Sequence, residues 1–301
     1  MTRVSFVRCL LFILGCAIAT SPLQAADDNA NTSALYVGLF KAVTVNVYQG
    51  AKNEVPTVNL YDGLGATSGD IAVDHKGNVY VTTQGGWVIG FPGGNLVPGI
   101  RYEFQDQAQP PLTQGLAVDS DGTLYAALYN DAEVAEYTKN HPDKASFTIP
   151  VPTGQTAYAV AVDSQKNVYI EYGLPNQPGH IEKCPPQSTQ CTELNISLGG
   201  PAPHLALDPK GNLITCDSST SQIDIFPAAG GKPRVISQGL IGCSYFALNQ
   251  AGTQLFVDNQ AAGSGVISVF DYSTGKLINT ISDGIPSNDI IYGVALSPAA
   301  Q

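Results

Sequence analysis

The feature that most restricts this chain is a motif that returns six times. Residues 71–81 read IAVDHKGNVYV, 116–126 LAVDSDGTLYA, 160–170 VAVDSQKNVYI and 205–215 LALDPKGNLIT. One residue longer, 246–257 reads FALNQAGTQLFV, and a last fragment, VALSPAA, covers 294–300. The turn positions Asp74, Asp119, Asp163, Asp208, Asn249 and Ser297 follow one another at intervals of 45, 44, 45, 41 and 48 residues. A period of this size marks an array in which each unit is one supersecondary element that cannot bury its apolar face alone.

Each unit reads as four strands. IAVD alternates like a strand, and the Asp-x-x-Gly step that follows is a tight turn whose Asp accepts backbone N–H bonds. Gly77, Gly122, Gly211 and Gly252 supply positive φ at that turn; Lys166 stands in place of the glycine in the third complete unit, which predicts a turn that is distorted or borrows Asn167. A second strand (NVYV, TLYA), a third (WVIGF, VAEY, HIEKC, IDIF, VISVF) and a fourth (VNLY at 58–61, RYEF at 101–104, SFTIPV at 146–151) complete the unit. Four antiparallel strands in some 44 residues make the blade of a β-propeller. The second motif position is Ala in all six units (72, 117, 161, 206, 247 and 295), as expected where first strands converge on an axis too tight for a larger side chain. The chain opens on a second strand, ALYVGLF at 34–40, and ends on a first strand, so one blade must combine both ends and remove the free edges. Residues 26–301 are therefore read as one all-β domain: a six-bladed β-propeller with four antiparallel strands per blade, the last closed by the N- and C-terminal strands.

Residues 1–25 are read as a secretory signal. Arg3 and Arg8 precede eleven residues, Cys9–Ala19, that are apolar but too few to span a bilayer, and small residues lead to cleavage after Ala25. A second reading takes ILGC as a degenerate lipoprotein signal with Cys16 acylated. The expected place is outside the cytoplasm, periplasmic or extracellular, with no transmembrane segment. Cysteine use agrees: Cys184, Cys191, Cys216 and Cys243 remain after cleavage, an even number suited to disulfides, with Cys184 and Cys191 bracketing a turn-like hexapeptide. Cys216 ends a second strand and Cys243 precedes the next first strand, which predicts the other bridge. Zinc is the competing use of these sulfurs, but no CxxC element occurs. The formal charge of −11, becoming −13 once Arg3 and Arg8 leave, disfavours a nucleic-acid partner. No GxxxxGK[ST] or GxGxxG phosphate loop is present.

The block LAVDSDGTLYAALYNDAEVAEY, residues 116–137, resembles the NHL-repeat family, whose units run apolar-Ala-Val-Asp, Gly-Asn, apolar-Tyr-Val and then Asp before the third strand. The likeness extends over residues 26–301. The wider six-bladed group holds gluconolactonase-like (senescence marker) hydrolases, streptogramin lyases and non-enzymatic binding propellers. The family's Asp after the second strand is matched here by Asp217 alone, the equivalent positions holding Leu39, Thr83, Leu128, Tyr172 and Asn259.

In such a fold, the loops entering first strands and leaving second strands share one face, called the top face below, where ligands are expected. Positions entering the first strands are Asp70, Gln114, Tyr158, His204, Ser244 with Tyr245, and Tyr292. The exits add Trp87, Tyr129, Asn130, Glu171, Tyr172, His180, Asp217, Asp258 and Asn259. Tyr158, Tyr172, Tyr245, Tyr292 and Trp87, with Asp70 and Gln114, form a candidate rim for a carbohydrate, another small molecule or a protein. Glu171, Asp217 and Asp258, from three successive blades, could hold one divalent cation (Ca, Mg, Mn or Zn), and the gluconolactonase-like enzymes bind their metal with a comparable acid-and-amide set. His204 and His180 are the candidates for acid–base work, and the resemblance to streptogramin lyases implies a catalytic His on this face. His75 and His141 fall in turns and read as solvated. The leading expectation is an exported, monomeric binding or interaction module; the alternative is a metal-dependent hydrolase or lyase.

Overall fold

The computed structural model of the chain describes residues 34–60, 68–83, 86–95, 99–103, 112–196, 198–217, 219–261 and 264–297; the expected signal, its cleavage site and Cys16 lie outside them. The described residues form six antiparallel sheets of four strands each, in the order the repeat predicts. The closing blade orders as β24 (Ile291–Ser297), β1 (Ala34–Leu39), β2 (Thr44–Gln49) and β3 (Val58–Leu60). Blade 1 holds β4 (Ser68–Val73), β5 (Val79–Thr83), β6 (Trp87–Phe91) and β7 (Ile100–Glu103). Blade 2 holds β8 (Thr113–Val118), β9 (Leu124–Leu128), β10 (Glu133–Tyr137) and β11 (Phe147–Pro150). In blade 3 are β12 (Thr156–Val162), β13 (Val168–Gly173), β14 (His180–Cys184) and β15 (Thr192–Glu193). Blade 4 contributes β16 (Leu205–Leu207), β17 (Leu213–Asp217), β18 (Gln222–Phe226) and β19 (Arg234–Ile236). Blade 5 contributes β20 (Phe246–Leu248), β21 (Gln254–Ala261), β22 (Ser264–Asp271) and β23 (Leu277–Ile281).

The core is six apolar seams between blades rather than one central mass. Ile71, Val79 and Phe91 of blade 1 pack with Tyr36, Val47 and Leu60 of the closing blade. Leu35 and Val37 meet Phe256 and Ile267 of blade 5 across the other side of that blade. Four more seams join the remaining neighbours, so every blade is covered on both faces and the ring is closed. The six repeated alanines line the axis, and they also set the seams. Each Ala faces the next blade and receives the larger first-strand residue there: Ala72 packs in one seam with Leu116, Ala161 with Leu205, and Ala295 with Ile71. Interdigitation of small with large residues sets how closely blades approach.

The turns repeat in atomic detail. Asp74 Oδ1 accepts from Lys76 N and Asn78 N at 2.9 and 2.8 Å, and Asp119, Asp163 and Asp208 accept from the corresponding N–H groups. The expected distortion at Lys166 does not occur. Lys166 itself takes φ 63° and keeps the same bonds, while its ammonium reaches Asp121 and lies 3.5 Å from Asp119 of blade 2. A left-handed non-glycine residue costs roughly 1 kcal/mol, a cost the turn's retained hydrogen bonds carry.

Candidate functional site

At the top face the first strands close in on one another. Bulges re-aim the starts of β4, β8 and β12. Gly115 sits where a Cβ would lie 2.7 Å from Ala159 Cα, 2.9 Å from the Tyr158 carbonyl and 3.2 Å from that of Pro203, so three blades meet backbone to backbone. Gly293, at φ 93°, is similarly held, its would-be Cβ 2.5 Å from the Gly69 carbonyl. Asp70 and His204 fill the centre. The Asp70 carboxylate, fully buried, accepts from Ile71 N and from Leu116 N of the next blade, both at 2.8 Å. His204 Nδ1, from the blade opposite, stands 3.1 and 3.3 Å from its two oxygens. His204 is 9% exposed and packs edge-on against Phe246 at 4.7 Å, with Tyr245 behind it.

The three candidate metal ligands do not converge. Among the described residues, the one His/Cys/Asp/Glu trio close enough to share an ion is Glu182 with Cys184 and Cys191, whose sulfurs are spent in a disulfide. Glu171 instead accepts from Ala202 N at 2.6 Å and from Thr215 Oγ1 at 2.9 Å, tying blade 3 to blade 4. Burial pushes its carboxyl up to about 8 against those two donors. Asp258 receives Ser244 N and Tyr245 N at 2.7 and 3.0 Å and the Gln260 amide at 2.8 Å; burial raises it to about 6. Asp217 takes Ser219 N, Ser219 Oγ and Gly199 N, and these bonds outweigh its burial and hold it below the usual carboxylate range. Asn259, also at a strand exit, accepts from Ile241 N and donates to the Gly239 carbonyl and Ser268 Oγ.

The candidate rim divides in the structure. Tyr158 and Tyr129 form a half-exposed edge-to-face pair with centroids 5.3 Å apart, and Tyr292 pairs with Phe40 at 4.9 Å. Tyr245 is buried behind Tyr292, and Tyr172 lies buried beneath His180, which stacks on it at 5.5 Å. His180 bonds Glu193 on the outer side of blade 3 and stands apart from the centre that His204 occupies. Trp87 carries the Arg101 guanidinium 3.7 Å over its ring, and Gln114 is half-buried near the start of β8. Gln260 and Thr215, which hold Asp258 and Glu171, lie outside any reading of the sequence, because nothing local marks a side chain that bonds across blades.

Both expected disulfides are present, Cys184–Cys191 across the β14–β15 hairpin and Cys216–Cys243 across blades 4 and 5. The first shapes a tip from which Gln187 reaches Glu136, buried in blade 2.

Below the Asp70–His204 plug, a cavity of about 430 Å³ follows the axis. Its walls are mainly apolar, including Ile71, Ala72, Leu116, Ala206, Phe246 and Val294, and His204 closes its upper end. Its mouth lies among the Asp-x-x-Gly turns, at His75, Ser120, Ser164 and Pro209, on the face opposite the rim. His75 thus stands exposed beside an opening rather than on featureless surface.

No family model matches the chain, and no curated protein matches its sequence. Solved structures do. A chain from the crystal structure of a nidogen/laminin complex superposes with a TM-score of 0.70 at 16% identity, over 89% of this chain and 100% of that one. A protein of unknown function from Bacteroides caccae gives 0.66 at 12% identity, over 88% and 99%. A functionally unknown protein from Desulfotomaculum acetoxidans gives 0.60 at 16%, over 87% and 98%. At such identities the likeness is one of fold: a six-bladed β-propeller.

Proposed function

We propose that the chain is an exported binding propeller whose top face holds a carbohydrate, another small molecule or a protein against the Tyr129–Tyr158 and Phe40–Tyr292 pairs. The observation that carries this reading is the state of the polar groups around them. Glu171, Asp217 and Asp258 are each taken up by N–H and O–H donors, and His204 Nδ1 by Asp70, so the polar centre serves as a scaffold. Half-exposed tyrosines offer apolar area with a polar tip, the usual currency of recognition surfaces. Two disulfides and a basic, then apolar, amino terminus support export. A protein partner is supported by the likeness to a propeller chain crystallised within a nidogen/laminin complex.

The metal-dependent hydrolase or lyase remains the second reading, favoured by the raised carboxyls of Glu171 and Asp258 on the same face as His204. Calorimetric titration with calcium, magnesium, manganese and zinc separates the two. The binding reading expects no saturable ion uptake by the chain or by Asp217→Asn, and glycan or protein-array binding weakened at least tenfold in a Tyr158→Ala/Tyr292→Ala variant. One ion per chain, lost in Asp217→Asn, would replace it with the enzyme.

A further inference from the structure

The axial cavity differs from the proposed recognition face in position and in chemistry. It is closed at the top, where Gly115 and Gly293 bring backbones together and His204 meets Asp70 across the axis. It is open at the turns. Water fills polar cavities readily but gains little from walls such as Leu116, Phe246 and Val294. Its polar features are of two kinds, backbone groups and one side chain. β4, β8, β12, β16, β20 and β24 are the inner edge strands of their sheets, so their axial backbone groups have no strand partner. At the closed end, His204 has its Nδ1 engaged with Asp70 and, among the described residues, no hydrogen bond at Nε2, on a side chain that is 11% exposed and lines the cavity. A ring nitrogen open to the end of an apolar funnel is what a ligand's single polar group would engage.

Charge narrows the class. The carboxylates that line the cavity are Asp119, Asp163 and Asp208 at the mouth, and Asp70 stands behind the closed end. Both oxygens of each mouth carboxylate are already taken up by turn N–H groups and by Tyr125, Asn167 or Tyr272, with Lys166 beside Asp119 and Lys183 beside Asp163, so the mouth offers neither a free carboxylate to a cation nor a free ammonium to an anion. We propose that the axial cavity binds an uncharged amphiphile, with its apolar body along the first strands and a hydroxyl or amide at His204 Nε2. A volume near 430 Å³ suits a molecule of medium size.

The test uses N-phenyl-1-naphthylamine, an uncharged fluorescent probe, with the full chain. Saturable fluorescence near one probe per chain is expected, with displacement by 1-octanol at a concentration at least tenfold lower than by octanoate at pH 8. Octanol should also raise the melting temperature saturably and shift the Nε2 resonance of His204. Ser120→Trp and Ser164→Trp, both at exposed turn positions on the mouth, should weaken probe binding at least tenfold. Absence of saturable binding overturns the proposal, as does equal affinity in the two tryptophan variants with unchanged melting. Octanoate competing as well as octanol overturns the ligand class. Should the variants fail to fold, the octanol–octanoate contrast and the His204 resonance decide the matter in the unaltered chain.

Discussion

At the scale of single residues, glycines at two kinds of place do different work. Gly122 turns the chain at φ 86° with open space where a Cβ would go, while Gly115 has no room at all. Gly122→Ala therefore carries only the left-handed cost of roughly 1 kcal/mol, whereas Gly115→Ala must push three backbone segments apart, at about 2–3 kcal/mol as in overpacked cores. Chemical denaturation of the two variants should rank them in that order, and a Gly115→Ala protein as stable as the parent would mean that the top of the ring is looser than described. The turn glycine was legible in the sequence from its motif. The packing glycine was not, because its neighbours, Ala159 and Pro203, lie one and two blades away. Lys166 shows the same limit from the other side: the motif says that a glycine is missing, but not that Lys166 takes the left-handed φ itself and sets its ammonium beside Asp119 and Asp121 of the preceding blade.

At the scale of elements, strand order and the number of blades followed from alternation and period alone, and the third and fourth strands fell within a residue or two of their expected places wherever a strand is described. What spacing could not disclose was what the edges of the strands do to one another. The alanine at the second motif position was legible as a small-residue requirement at the axis, but not the second constraint on it, the next blade's Leu116, Leu205 or Ile71. The two disulfides also act on elements, one within a hairpin and one between blades. Their sequence separations are 7 and 27, so loop entropy assigns about 2.5 and about 3.5 kcal/mol to them. Replacing Cys216 and Cys243 by Ser should lower the denaturation free energy by about 1 kcal/mol more than replacing Cys184 and Cys191. The reverse order would point to the Gln187–Glu136 contact at the hairpin tip as the larger contribution.

For the whole molecule, the buried acids set a direction for its pH dependence. Glu171 is raised to about 8 and Glu182 to about 7, while Asp258 and Asp224 are raised to about 6, burial being the first cause in each. An acid whose folded pKa lies above its unfolded value keeps its proton in the fold after the unfolded chain has lost it. Stability from these groups is full below about pH 4, the ordinary carboxylate range, falls as pH rises, and levels off above pH 8. Thermal melting should therefore decline from pH 5 to pH 8, and Glu171→Gln, whose amide can serve both Ala202 N and Thr215 Oγ1, should flatten the upper part of that decline. A melting temperature that climbs over this range would contradict the burial of these carboxyls. The closing blade has its own consequence, one of timing. Its β1 is made among the first strands and β24 last, and the seams on either side of that blade need both. Until Ile291–Ser297 has left the ribosome, Leu35 and Tyr36 lack their edge partner and the ring cannot close, so every nascent length short of that point exposes sticky apolar seams. A chain cut before Ile291 would be not a slightly shorter propeller but an open arc, its seams exposed and prone to aggregate.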